Sequence, residues 1–336
     1  MTARHDEMMA FLNANLSMGF RVESLAGDAS FRRYHRIYMN AGEGVYTTYL
    51  LMDAPPDKES VVEFVNVAEI MTSAVNVPDI IARDIERGFL LLQDFGTVEF
   101  AHLIRDDADN VNAYYTRALQ TLADLQTLPT DVNLPAYSDE KLSAEMDLFT
   151  EWFLPYVGVS LTEDAKSMWQ TFKDDLIEQI KLQPKVVVHR DYHSRNLMAD
   201  KGSDALGVID FQDAVIGAYS YDLVSLVRDA YVNFHETWVN AKIGEFHAIK
   251  GLNINVDDFI RDVNIMGVQR HLKVLGIFIR LSERDGKHRY LEDIPKVMKD
   301  LNAELEWLQS HGEQSIEPFY AWLKAHVLPS YHANFN

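Results

Sequence analysis

The sequence predicts an α+β protein with a small β-rich N-terminal lobe, residues 1–92, and a large helical C-terminal lobe, residues 97–336. Short runs of β-branched and aromatic residues dominate the chain before residue 93. After residue 96, apolar residues recur at helical spacing over long segments. The pattern changes at residues 93–96, which we expect to form a hinge between the lobes.

The N-terminal lobe is predicted to begin with a loosely patterned helix, followed by five strands and a second helix. The strands are expected on both sides of the turn at residues 27–30, at 45–53, around 80–81 and at 89–92. Asp57 follows two prolines that interrupt the third strand. We expect it to cap the second helix, because an aspartate at that position accepts the first N–H groups.

The C-terminal lobe is predicted to be mostly helical, with one compact β patch inside it. Helices are expected at residues 110–128, 139–154 and 162–182 and from residue 221 to the end, and strands at 186–189, 196–200 and 206–210. The β patch therefore forms a short hairpin within the helical lobe.

The composition excludes several classes of protein. Of the 336 residues, 47% are hydrophobic and 24% charged, as in folded globular proteins. The 51 acidic and 31 basic side chains give a net charge of −20, which argues against a nucleic-acid partner. Cysteine is absent, so disulfides and thiolate chemistry are excluded. Without a signal-like start or a long apolar run, we expect a cytoplasmic protein with no membrane partner.

The loop HRDYHSRN, residues 189–196, carries the residues that indicate catalysis. Asp191 and Asn196 are five positions apart, which is the spacing of kinase catalytic loops. Such a loop can aim the carboxylate at an acceptor hydroxyl and the amide oxygen at a magnesium ion. Asp210 ends a strand fourteen residues after Asn196, and a hairpin of that length would bring the two together. Hard oxygen ligands completed by nucleotide phosphates suit Mg²⁺.

The letters FLLLQDFG, residues 89–96, contain the tripeptide that holds magnesium in protein kinases. Here the tripeptide precedes the loop above by about a hundred residues, whereas in kinases it follows that loop. It lies where the two predicted lobes meet. We therefore expect the backbone of Gln93, Asp94 and Phe95 to bind adenine, and Asp210 rather than Asp94 to bind the metal.

A metal-dependent hydrolase is the main alternative from another class. His189, Asp191 and His193 alternate along the loop as metal ligands can. No second cluster of histidines and acids is evident in the sequence, so we prefer a supporting role for His189 in its loop, with His193 near the site. Dependence on a nucleoside triphosphate would separate the two hypotheses.

The run HRDYHSRNL followed by VIDFQDAVIGAYSYDLVSLVRD resembles the aminoglycoside phosphotransferase and choline kinase superfamily, whose members have a protein-kinase-like fold. A closer similarity lies in GDASFRRYHRIYM, YLLMDAPPDKES, RGFLLLQDFG and VQRHLKVLGIFIRLSERDGK. These runs resemble bacterial anomeric sugar kinases, which phosphorylate N-acetylmuramate and N-acetylglucosamine at C1 during cell-wall recycling. The resemblance implies ATP and Mg²⁺ as cofactors and a small sugar as the acceptor.

The resemblance also implies a role for particular residues. Asp191 becomes the catalytic base, Asn196 and Asp210 the magnesium ligands, and Asp222 a support of the catalytic loop. The loop over the phosphates would consist of Gly27, Asp28, Ala29 and Ser30.

The sequence departs from the family pattern in its third strand, TTYLLMD, which lacks the lysine that binds nucleotide phosphates in kinases. Arg33 or Lys58 could replace it. His193, Arg228 and Arg270 are candidates for contacting the acceptor. An aminoglycoside or a choline-like alcohol remains an alternative acceptor, and a non-catalytic ATP-binding partner protein is the alternative outside enzymes.

Overall fold

The structure, a computed structural model, describes residues 3–17, 19–25, 31–40, 46–200 and 205–335. Its strands are β1 (Phe20–Ser24), β2 (Arg33–Asn40), β3 (Tyr46–Asp53), β4 (Ile80–Asp84), β5 (Phe89–Gln93), β6 (Lys185–Val188), β7 (Leu197–Ala199), β8 (Leu206–Val208) and β9 (Val215–Ala218). These strands occupy the segments in which the sequence predicts β structure, with β9 added.

The helices form the larger part of the fold. They are α1 (Ala3–Asn15), α2 (Val62–Met71), α3 (Phe100–Asp106), α4 (Val111–Leu125), α5 (Asp139–Leu148), α6 (Leu154–Tyr156), α7 (Glu163–Leu182), α8 (Tyr221–Val227), α9 (Glu236–Lys250), α10 (Val256–Asp285), α11 (Ile294–Ser310), α12 (Glu317–Trp322) and α13 (Leu328–Phe335). Short 3₁₀ turns lie at Ala108–Asn110 and His288–Asp293, and π turns at Phe149–Phe153 and Leu323–Val327. The predicted α+β class is confirmed.

The chain forms two compact units. The sheet unit consists of Met1–Tyr114 and Arg195–Ala214, and the helical unit of Tyr115–Ser194 and Val215–Asn336. Arg195–Ala214 belongs to the sheet unit although it lies far along the chain. Each unit therefore consists of two separate segments of the chain. The hinge at residues 93–96 stays a prediction.

The sheet unit is built on a five-stranded antiparallel sheet in the order β1-β2-β3-β5-β4. Side chains alternate between the two faces of each strand, and one face carries a cluster that includes Ile37, Leu51 and Phe89. Helix α1 covers this cluster with its own buried residues Met8 and Phe11. Burial of these apolar side chains fixes which strand residues face α1.

The hairpin β7–β8 is tied to the sheet unit by backbone hydrogen bonds. Val208 donates its N–H to the carbonyl of Asn76, and Ala199 donates to the carbonyl of Val98, both at 2.8 Å. Gly207 of β8 lies against Phe95, so closely that a Cβ added there would be 2.4 Å from the ring. The hairpin is therefore held from both sides.

The predicted helix cap at Asp57 is wrong. Helix α2 begins at Val62 and its N-cap residue is Val61, while Ser60 Oγ accepts the N–H of Val62 at 3.1 Å. The chain before it forms a turn instead, in which the N–H groups of Lys58 and Glu59 bond to the carbonyl of Pro55 at 2.9 and 3.0 Å. The helix starts only after this turn.

The helical unit is organised around the thirty residues of α10, which pack against α5, α7, α8, α9 and α11. Asn255 caps the start of α10 by accepting the N–H of Asp257 at 2.9 Å, and Gly286 ends the helix with φ +67°. Gly276 allows close packing, since a Cβ there would lie 2.3 Å from the backbone of Leu148. Within the described ranges, no helix is both long and apolar enough to span a bilayer.

Candidate active site

The carboxylate of Asp222 holds the start of the predicted catalytic loop. Strand β6 pairs with β9 and delivers the chain to His189, while Asp222 lies in the first turn of α8. Asp222 accepts the N–H of His189 at 2.7 Å and the N–H of Arg190 at 3.0 Å. It is wholly buried, and burial raises its pKa to about 6, opposed by His189 and these two backbone hydrogen bonds. The aspartate satisfies backbone groups of the loop.

Arg190 is in the left-handed region, with φ +77°. Of the residues that the structure describes, it and Asp210 (φ +63°) are the non-glycine residues with positive φ. Such conformations are uncommon for side chains other than glycine and concentrate at functional sites. Both residues lie in segments that the sequence predicts to be catalytic.

Asp191 follows immediately, and its N–H donates to Nδ1 of the buried His189 at 3.2 Å. Burial alone would raise the pKa of the Asp191 carboxyl, but the positive charges of Lys273 and Arg270, with His193, lower it below its ordinary value. An ionised carboxylate at this position can accept a proton or orient a hydroxyl donor.

A partly buried network of polar and charged side chains, which includes residues of α5 and α10, surrounds the start of the loop. Glu145 accepts Arg190 Nη2 at 2.6 Å and lies 3.3 Å from Lys273 Nζ, and the Tyr137 hydroxyl also bonds to it. Lys273 Nζ donates in turn to the Tyr221 hydroxyl at 3.0 Å. The network fixes Lys273 where its charge acts on Asp191.

Arg270, a predicted acceptor contact, is buried beside the same loop. Its Nη1 donates to the Tyr221 hydroxyl at 3.3 Å and to the carbonyl of Arg190 at 3.4 Å. His193 lies against the ring of Tyr231, with ring centroids 5.5 Å apart. Arg270 thus lies beside the loop and His193 within it, and their contact with an acceptor stays a prediction.

Arg228, the third predicted acceptor contact, lies in a different environment. Its side chain is 1% exposed and forms ion pairs with Glu236, at 2.9 Å from Nη1, and with Glu304, at 3.3 Å from Nε. Glu304 also bonds to His271 at 2.8 Å. These contacts make Arg228 part of a buried charge cluster, and its contact with an acceptor stays a prediction.

The hairpin of the sheet unit brings Asn196 and Asp210 together. Asn196 precedes β7 and Asp210 follows β8, and Ile209 donates its N–H to the Asn196 carbonyl at 3.0 Å. The Asn196 amide nitrogen lies 3.4 Å from Asp210 Oδ2, and Gln212 donates to Asp210 Oδ1 at 2.9 Å. The side chains are therefore neighbours, as the hairpin length predicts.

Asn196 and Asp210 offer an amide and a carboxylate oxygen, which are donors that Mg²⁺ prefers. Among residues 3–17, 19–25, 31–40, 46–200 and 205–335, no group of three or more histidine, cysteine or acidic side chains could hold a metal alone. Magnesium usually takes one or two carboxylates and completes its shell with water and phosphates. The pair fits an ion that arrives with a nucleotide.

The carboxylate of Asp94 is bound by Arg36 of β2 and by the backbone of its own segment. Arg36 of β2 contacts both oxygens, with Nε 2.7 Å from Oδ2 and Nη2 3.2 Å from Oδ1. Asp94 Oδ1 also accepts the N–H of Gly96 at 2.9 Å, and Arg36 Nη2 donates to the Gly96 carbonyl at 3.0 Å. Gln93 ends β5, and Phe95 is buried against Gly207. Adenine binding by this backbone stays a prediction.

The remaining residues predicted to bind the nucleotide are either exposed or outside the described residues. Arg33 and Lys58 are exposed, and Lys58 Nζ lies 5.0 Å from the ring centre of Phe31. Gly27, Asp28, Ala29 and Ser30, the predicted phosphate loop, lie outside the described residues.

Residues 21–252, more than half of the chain, match the phosphotransferase enzyme family. The chain belongs to this family. The resemblance inferred from the catalytic loop and the segment after it is thereby confirmed, and the protein is a phosphotransferase.

Relatives of this phosphotransferase extend the match over most of the chain. An N-acetylmuramate/N-acetylglucosamine kinase from Pseudomonas putida is 42% identical over 284 residues, covering 82% of this chain and 81% of the relative. A protein of the same name from Pseudomonas aeruginosa is 40% identical, covering 83% and 82%. The structure of choline kinase from Cryptosporidium parvum has a TM-score of 0.62 at 11% identity, covering 95% of this chain and 99% of that chain, and confirms the fold class.

In each unit, some residues that contact the candidate residues have no signal in the sequence. Glu145 and Tyr137 are 45 and 53 positions from Arg190 and belong to no recognisable motif. Arg36 is one of several arginines in β2 and its approach, and only the pairing of strands shows that it reaches Asp94. Their roles depend on contacts between distant segments.

Proposed function

We propose that this phosphotransferase transfers the γ-phosphoryl group of ATP to the C1 hydroxyl of N-acetylmuramate or N-acetylglucosamine. The observation that carries the acceptor class is the 42% identity to a kinase named for these two sugars. The sequence runs that resemble anomeric sugar kinases come from both ends of the chain, which supports the C1 position.

In this reaction Asp191 would orient the acceptor hydroxyl and take its proton late, as expected for a loose phosphoryl-transfer transition state. The charges of Lys273 and Arg270 favour its ionised form. An anomeric hydroxyl is more acidic than other sugar hydroxyls, so a weak carboxylate base is sufficient. Asp222 would act as a positioning residue, because it holds the backbone that precedes Asp191.

Asn196 and Asp210 would hold magnesium on their oxygen atoms. The ion would neutralise charge on the β- and γ-phosphates during transfer. The chain contributes the orientation of these ligands, since the β7–β8 hairpin and the hydrogen bond from Gln212 to Asp210 restrain both side chains. Catalysis would depend mainly on positioning and electrostatics.

The rest of the nucleotide would bind to elements that the sequence selects. The backbone of Gln93, Asp94 and Phe95 is proposed to contact adenine, and the loop Gly27–Ser30 to cover the phosphates. A cytoplasmic location agrees with these substrates and stays a prediction from the sequence.

The proposal is tested with the purified chain, ATP, Mg²⁺ and a panel of acceptors. We expect ADP release with N-acetylmuramate and N-acetylglucosamine, and none above background with an aminoglycoside or choline. Asp191→Asn should lower kcat roughly 10²- to 10⁴-fold, the scale for loss of a general base. Turnover of the aminoglycoside or choline without turnover of either amino sugar would refute the proposed acceptor.

A further inference from the structure

A kinase normally places a lysine in its third strand, where the lysine pairs with a glutamate from the following helix and with nucleotide phosphates. Strand β3 has no lysine. The sequence leaves Arg33 and Lys58 as replacements, and both are exposed. Whether Arg33 can reach the nucleotide phosphates depends on the face of the sheet that its side chain occupies.

Arg33 belongs to the face of the sheet that α1 covers. In the β2–β3 pair Arg33 is opposite Asp53, and two positions further His35 is opposite Leu51. Opposite residues in an antiparallel pair share a face, and Leu51 packs against α1. Asp53 is itself held from α1, by Arg4 at 2.8 Å. Arg33 is therefore directed toward α1.

The other face carries the even-numbered residues Tyr34 and Arg36, and Arg36 reaches Asp94 from it. Burial raises the pKa of Tyr34 on this face to about 12, and the Arg32 guanidinium opposes that effect. Two contacts connect Arg32 to the segment of Asp210: the ion pair of Arg32 with Glu59, and the packing of α2 against Phe211.

Arg32 is held by Glu59, which precedes α2. Arg32 Nε lies 3.3 Å from Glu59 Oε2, and the side chains are 13% and 21% exposed. Glu59 Oε1 also accepts the N–H of Phe31 at 3.4 Å, so one carboxylate grips two successive residues. The ion pair is therefore partly buried, unlike the exposed surface pairs that contribute little.

Helix α2 is attached to the segment that contains Asp210. The rings of Phe64, in the first turn of α2, and Phe211 pack with centroids 4.7 Å apart. Both residues are buried. The packing fixes the start of α2, and with it the turn that carries Glu59, relative to Asp210. Together, this packing and the Arg32–Glu59 ion pair connect Arg32 to the segment that contains Asp210.

We propose that Arg32, positioned by Glu59, binds the nucleotide phosphates in place of the missing third-strand lysine. The inference rests on the proposed use of ATP. A guanidinium carries five N–H donors, so it can hold a carboxylate through one edge and a phosphate through another. In the sequence, Arg32 is the second residue after Ser30, the last residue of the predicted phosphate loop.

The test compares binding of ADP and adenosine by calorimetry, since only ADP carries phosphates. Arg32→Ala should weaken ADP binding roughly 10- to 100-fold, as expected for lost charge-assisted hydrogen bonds, and leave adenosine binding unchanged. Arg32→Lys should recover part of the loss. Glu59→Gln should raise KM for ATP more than it lowers kcat, because the arginine is still present but no longer held.

Arg83→Ala is the matched control, because Arg83 pairs with Glu69 at 2.9 Å on the exposed surface of the same unit. It should leave the ADP to adenosine ratio within about twofold of the unmodified chain, as a surface pair contributes little. Equal ADP binding by Arg32→Ala and the unmodified chain would overturn the inference, as would a larger loss in Arg33→Ala. If Arg32→Ala does not fold, Arg32→Gln supplies the same comparison.

The binding data distinguish an error in the proposed use of ATP from an error in the assignment of Arg32. If the unmodified chain binds ADP no better than adenosine, the proposed use of ATP fails. If the unmodified chain prefers ADP and Arg32→Ala keeps that preference, only the assignment of Arg32 fails.

Discussion

The backbone N–H of His189 lies 2.7 Å from Oδ2 of Asp222, a carboxylate that is wholly buried in the helical unit. The other oxygen of Asp222 accepts the N–H of Arg190 at 3.0 Å, at a residue with φ +77°. One side chain thus satisfies two consecutive backbone donors and supports an unfavourable conformation. Asp191 follows directly, so its placement depends on this contact.

Asp222→Asn should therefore lower kcat while leaving KM for ATP nearly unchanged. An amide can accept only one of the two N–H groups, and a buried donor without a partner costs about 1–3 kcal/mol in unfolding free energy. Steady-state kinetics and urea unfolding measure the two effects. Asp262→Asn, which removes the carboxylate bonded to the Tyr219 hydroxyl at 2.7 Å, is the control and should keep kcat. Unchanged kcat in Asp222→Asn would contradict the positioning role.

Lys273→Met should move the acid limb of the kcat/KM profile to higher pH. The positive charge of Lys273 lowers the pKa of Asp191 against the effect of burial. Without that charge the protonated carboxyl is favoured, so Asp191 loses its ionised form at a higher pH than before. Lys173→Met removes another buried lysine, bonded to Asp147 at 2.7 Å, and should leave the limb in place. If the acid limb of Lys273→Met stays at the same pH, the charge of Lys273 does not influence the ionisation of Asp191.

Asp210→Asn should change the Mg²⁺ requirement of the reaction, whereas Asp94→Asn should change the stability of the fold. Loss of the Asp210 carboxylate should raise the Mg²⁺ concentration needed for half-maximal activity, with little change in unfolding free energy, because the side chain is exposed. Asp94 is 1% exposed and paired with Arg36, so Asp94→Asn should lower the unfolding free energy by about 1–3 kcal/mol and leave the Mg²⁺ requirement unchanged. Magnesium titration of activity and urea unfolding of both variants measure these two effects. A greater Mg²⁺ requirement in Asp94→Asn than in Asp210→Asn would reverse the assignment.

Gly207→Ala should destabilise the chain by about 1–3 kcal/mol, the cost of overpacking a well-packed site. A Cβ at Gly207 would lie 2.4 Å from the ring of Phe95. Gly244 in α9 is the control, because a Cβ there meets nothing within 4 Å and alanine favours helix. Urea unfolding should therefore give opposite signs for the two variants. Equal stability of Gly207→Ala and the unmodified chain would show that Phe95 can move aside.

The parts of the site that could be predicted from the sequence are those encoded by short spacing. Asp191 and Asn196 share one loop, and a hairpin brings Asp210 back to Asn196, so local chain geometry determines the contact. Strand and helix patterns likewise predict the fold class, since alternation and helical spacing are local properties.

The parts that could not be predicted depend on pairing between distant segments. Glu145 contacts Arg190 across 45 positions, and Arg36 contacts Asp94 across 58. The face of the sheet on which Arg33 lies follows from the register of β2 against β3, which the sequence does not state. Asp57 illustrates the converse, because a capping residue type was present and the double proline placed it in a turn instead.

The central claim, phosphoryl transfer to C1 of an N-acetylated hexosamine, is tested most directly by ³¹P NMR of the product formed from ATP. N-acetylmuramate and N-acetylglucosamine should each give a glycosyl 1-phosphate, identified by phosphorus coupling to the anomeric proton and by cleavage in mild acid. The methyl glycosides of the same sugars block C1, leave every other hydroxyl free and should give no product. A phosphorylated methyl glycoside, or an acid-stable product without coupling to the anomeric proton, would contradict the account.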